Sequence, residues 1–88
     1  MKLIIAIIHD GDTENVTQAL VNASFRVTRV ASTGGFLRRG MTTLMVGTDP
    51  DQVDRGIEVI RDSTSPPPEP GMRRATLFVI PVENFTQL

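Results

Sequence analysis

The stretch LIIAII, Leu3 to Ile8, is an unbroken apolar run with four isoleucines in six positions. A run this short and this rich in β-branched side chains reads as a strand. Strands alternate sides, so Leu3, Ile5 and Ile7 face one way and Ile4, Ala6 and Ile8 the other. Both sets are apolar. A strand of that kind reads as one buried on both faces. Asp10-Gly11-Asp12 breaks the run.

The rest of the chain is arranged around this strand. Asp12 or Thr13 is placed to cap a helix whose stripe is Val16, Ala19, Leu20 and Ala23. FRVTRVAS, Phe25 to Ser32, reads as a strand with Phe25 and Val27 on one face and Arg26, Thr28 and Val30 on the other. A glycine loop follows over 31–41. MTTLMVGT, Met41 to Thr48, reads as the return strand of a hairpin, with Leu44 and Val46 alternating with Thr43, Met45 and Gly47. DPDQVDRGIEVIRDST is the clearest helix: Asp49 caps, Pro50 takes the first helical position, and Gln52 stands where it completes a capping-box-like start. Val53, Ile57 and Ile60 form its buried stripe. Residues 64–73 are a proline-rich connector. RATLFVIPV, Arg74 to Val82, is the last strand, and ENFTQL the tail. No internal repeat is present. The order β-α-β-β-α-β predicts an α+β, ferredoxin-like fold over one domain, 1–88: a four-stranded antiparallel sheet with both helices on one face.

That fold leaves the other sheet face bare, yet the first strand is apolar on both sides. An apolar face of this kind favours association, at about 25 cal/mol per Å² removed from water. A chain of 88 residues is marginally stable alone, and with no cysteine and one histidine, His9, neither a disulfide nor a Cys- or His-rich metal site supports it. Self-association is the remaining source of stability. The net charge of −1 argues against a general nucleic-acid binder. No apolar run reaches the roughly 18 residues of a membrane span, and the start has no signal-peptide pattern. The expected location is the cytoplasm.

The loop sequence STGGFLRRG is where chemistry concentrates. Gly34 and Gly35 allow positive φ and close approach of backbone N–H groups to an anion, or simply make a loose turn. Phe36 and Leu37 are costly to expose; Phe36 either stacks on a flat base or packs into a neighbouring subunit. Arg26, Arg29, Arg38 and Arg39 are candidate phosphate partners, with at least one of the loop pair read as a solvated charge. Phe78, inside an apolar strand, reads as core. Asp10 and Asp12 read as turn and cap residues, since no third metal ligand accompanies them.

Taken together, MKLIIAI, FRVT at Phe25, STGGFLRRG at Ser32, TTLMVGT at Thr42 and ATLFVIPVENFTQ at Ala75 resemble the PII-like cyclic-di-AMP receptor proteins over nearly the whole chain. The resemblance implies a ferredoxin-like homotrimer that binds cyclic-di-AMP in clefts between subunits, with no catalytic residue, no metal and no cofactor besides that ligand. It implies ligand contacts from Arg26, Thr28, Gly35, Phe36, Leu37, Gly47, Phe78 and Gln87. Three departures stand out. Ser24 replaces a frequent Asn, Met41 replaces a usual Asn, and residues 65–73 replace a longer loop. An Asn amide both donates to and accepts from an adenine edge, and Met does neither.

The reading that follows is a signalling receptor rather than an enzyme. The alternative is a PII-like trimer that binds another adenine nucleotide, or none, and acts through protein contacts. No nucleophile is paired with a base, and HDGDTENV has no counterpart of an acylphosphatase's arginine-bearing phosphate loop. RGMTTLMV lacks the aromatics that an RNA recognition motif stacks on bases. A downstream protein target is not specified by any residue.

Overall fold

A computed structural model describes residues 1–30, 40–66, 71 and 73–88. β1 (Lys2–His9) leads through a 3₁₀ turn at Asp10–Asp12 into α1 (Thr13–Asn22). β2 (Arg26–Val30), β3 (Met41–Thr48), a second 3₁₀ turn at Pro50–Gln52, α2 (Val53–Ser63) and β4 (Ala75–Pro81) follow. The sheet order is β2-β3-β1-β4, with every pair antiparallel. This is the βαββαβ ferredoxin-like arrangement expected from the sequence, with β1 in the interior. Met41, read as the last residue of the glycine loop and the first of the return strand, pairs with His9 in the β1–β3 ladder; residues 31–39 of that loop lie outside the described residues.

One face of the sheet is the core. Ile4, Ala6 and Ile8 of β1 and Leu44 and Val46 of β3 are buried with Val16 and Leu20 of α1, Ile60 of α2 and Phe25. Both helix stripes therefore point at the same side of β1. α2 comes very close: a Cβ on Gly56 would stand 3.1 Å from Ile4 Cδ1 and 3.5 Å from the Phe25 ring. Gly56→Leu is accordingly expected to lower stability by about 1–3 kcal/mol through overpacking, read as a reduced denaturant midpoint with an unchanged slope.

The helix starts differ from the expected caps. Neither Asp12 nor Asp49 makes a side-chain capping hydrogen bond. Pro50 does open the second helical segment, but as a 3₁₀ turn closed by Gln52 N–H donating to Asp49 O at 3.0 Å. The end of α1 is a Schellman arrangement. Phe25 N–H donates to Leu20 O at 2.9 Å and Ser24 N–H to Val21 O at 3.0 Å. Ser24 carries the left-handed backbone this requires, with φ of 70°. Arg55 locks the same corner: its Nη1 donates to Ala23 O at 3.0 Å, and its guanidinium lies 5.6 Å from the Phe25 ring centroid.

Candidate functional site

The sheet face opposite the helices is laid out in three rows. Arg26, Gly47, Leu3 and Ile80 are aligned across β2-β3-β1-β4; so are Thr28, Met45, Ile5 and Phe78, and so are Val30, Thr43, Ile7 and Thr76. Large apolar groups on this face remain exposed, among them Val30, Phe78 and Ile80. Between the edge strands β2 and β4 that carry them, Leu3, Ile5 and Ile7 of β1 and Met45 of β3 are half-buried.

A pocket of about 340 Å³ opens at one end of this face. Arg26 and Thr28 line it from β2, Met45 and Gly47 from β3, and Leu3 from β1. The tail returns over it: Val82 N–H donates to Met1 O at 3.0 Å, which sets Phe85 and Gln87 at the pocket edge. Among the described residues the lining carries the cations Arg26 and Lys2 and no carboxylate, so its field favours an anion. Leu3, Met45 and Phe85 supply apolar surface for a flat ring. A Cβ on Gly47 would stand 3.2 Å from Met1 Cε, the flexible end of a half-exposed side chain. A smaller cavity, about 270 Å³, lies on the other side of Met1, Arg26 and Gly47 and is bordered by Ser24, Gln52 and Arg55.

Of the eight residues expected to contact a ligand, the pocket gathers Arg26, Thr28, Gly47 and Gln87. Phe78 does not line it; it lies on the same face, at the β4 edge, and is 52% exposed. Gly35, Phe36 and Leu37 lie outside the described residues, as do Arg38 and Arg39. Arg29 is separated from Arg26 by strand parity, pairing with Leu44 on the helix side. Leu3, Met45 and Phe85 were not singled out from sequence. Met45 was within reach, because its alternation with Leu44 and Val46 assigns it to the uncovered face. Phe85 sits in a tail with no periodicity to orient it.

Residues 1–69 match the family described as cyclic-di-AMP receptor. The chain belongs to that family. It is also similar to a crystal structure from Pediococcus pentosaceus ATCC 25745, described as a functionally unknown protein. Identity is 30%, the match covers 99% of this chain and 96% of that one, and the TM-score is 0.77. The family is one of receptors, so a binding and signalling role is implied rather than catalysis. Among the described residues, no helix is long and apolar enough to cross a membrane, and no three His, Asp or Glu side chains cluster as metal ligands.

Proposed function

We propose that this cyclic-di-AMP receptor family member acts as one domain over 1–88. It assembles as a homotrimer through the uncovered sheet face and binds cyclic-di-AMP in the clefts between copies. The observation that carries this reading is the cationic, acid-free pocket at the edge of that face, lined by Arg26, Thr28, Gly47 and Gln87. The guanidinium of Arg26 pairs with a phosphate, and Leu3, Met45 and Phe85 take up one adenine.

Strand register supports a site shared between copies. Val30 and Met41, the strand ends on either side of residues 31–40, stand at the far end of the β2–β3 hairpin from Arg26 and Gly47. Four residues of strand separate Val30 from Arg26, about 13 Å. Phe78 is on the opposite edge strand, three inter-strand spacings away, about 14 Å. A neighbouring copy packed on the apolar face supplies Gly35, Phe36, Leu37 and Phe78 to a pocket that one chain leaves half-built.

Calorimetric titration with cyclic-di-AMP, with AMP and ATP as separate arms, tests the ligand. Cyclic-di-AMP is expected to saturate with one site per chain. At a hundredfold excess over Kd it adds about 2.7 kcal/mol of stability, a rise in Tm on the order of 10 °C for a chain this size. A flat cyclic-di-AMP titration with saturation by AMP or ATP would replace this ligand with a mononucleotide.

A further inference from the structure

Four consecutive residues, His9 to Asp12, hold three separate pieces of chain. Asp10 N–H donates to Gly40 O at 2.8 Å, and the Asp10 carboxylate accepts a hydrogen bond from the Thr42 hydroxyl. Asp12 Oδ1 accepts from Ser65 twice, from its N–H at 3.1 Å and its Oγ at 2.8 Å. His9 Nε2 donates to Arg73 O at 3.1 Å, a carbonyl being able only to accept. Gly40 and Thr42 stand where residues 31–39 rejoin the sheet. Ser65 and Arg73 flank the proline segment on its two sides. One corner thus ties both.

Asp12 makes this more than adjacency. It is 4% exposed and spends no oxygen on capping α1. A buried carboxylate is costly without partners, and Ser65 provides both of the hydrogen bonds it makes among the described residues. Asp10 and Asp12 belong to one 3₁₀ turn, so a shift of Asp10 is carried to Asp12 through a single tight ring of backbone.

We infer that the His9–Asp12 corner is a coupling element: movement at Gly40 and Thr42 alters the hold on Ser65 and Arg73, and the reverse. None of these groups lines the pocket, so they are positioning residues. On the proposed ligand reading, a nucleotide whose binding displaces Gly40 and Thr42 then alters the hold on Ser65 and Arg73. A protein gripping the proline segment changes nucleotide affinity by the same factor, because coupling free energies are reciprocal.

The coupling is tested first without ligand, on the full chain. Thr42→Val removes the hydroxyl tie on the glycine side and is expected to speed trypsin cleavage after the exposed Arg73 and Arg74 by about threefold or more. Ser65→Ala cuts a tie on the proline side and is expected to speed exchange of the Asp10 amide by a similar factor. Core amides of Leu44 and Val46 report global loosening and are expected to exchange at the unaltered rate. Asp12→Asn keeps an Oδ1 acceptor and is expected to stay close to the unaltered protein, whereas Asp12→Ala reproduces Ser65→Ala. If each substitution loosens only its own side, the corner does not couple the segments and the inference fails. With cyclic-di-AMP present, Ser65→Ala is expected to change affinity about fivefold. A protein that shows the cross-effects but binds no cyclic-di-AMP overturns the ligand reading and leaves the coupling standing.

Discussion

Phe78→Asp is expected to yield a folded monomer at micromolar concentration, where the proposed assembly predicts that the unaltered chain sediments as a trimer. The fold tolerates the change because Phe78 is 52% exposed on an edge strand that, among the described residues, pairs only with β1. Assembly does not. Burying one phenyl group stabilises a contact by about 2–3 kcal/mol, and a carboxylate placed in the same apolar surroundings costs several more. A loss of about 4 kcal/mol per contact is roughly a thousandfold in association constant, repeated at each seam of a closed ring. Val21→Asp is the matched control. Val21 is as exposed as Phe78, at 53%, but it lies on the outer side of α1 and off the sheet face. It is expected to leave sedimentation unchanged. A trimer that survives Phe78→Asp would mean that the uncovered face is not the seam.

What was legible in the chain was what strand and helix periods report. LIIAII marked a strand with two apolar parities, one of which packs under the helices, and the β3 limits, Met41 to Thr48, agree with the sequence reading. β2 parity distinguished Arg26 and Thr28 from Phe25 and Val27 correctly. It also demotes Arg29, which composition alone had ranked with Arg26 as a phosphate partner. The helix caps were not legible. Asp12 has the right residue type one position before α1, but its carboxylate is bound to Ser65, 53 residues away, and no local pattern reveals a competitor that distant. Ser24 was read only as a missing amide. Its φ of 70° adds a backbone reason why Asn suits this position, since Asn enters the left-handed region more readily than most residues. The pocket was half legible. Its strand residues follow from alternation, whereas Phe85 arrives through a tail whose path is set by the Val82–Met1 hydrogen bond.

Arg26→Ala is expected to weaken cyclic-di-AMP binding by about 10- to 100-fold while leaving the fold intact. A charge-assisted hydrogen bond contributes about 1.5–3 kcal/mol, and each 1.4 kcal/mol is a factor of ten. Arg26 is exposed and makes no ion pair among the described residues, so its removal leaves no buried charge and changes stability by less than about 0.5 kcal/mol. The guanidinium geometry and its charge separate in Arg26→Lys, which keeps the cation and loses the planar fork; intermediate affinity is expected. Arg29→Ala, three residues along the same strand and on the helix side, is expected to bind like the unaltered protein. Equal losses from Arg26→Ala and Arg29→Ala would reduce both to general field effects, and raising the salt would then erase the difference from the unaltered chain. A loss confined to Arg26 that persists at high salt is the signature of a direct contact, because a desolvated pair is screened far less than two charges facing water.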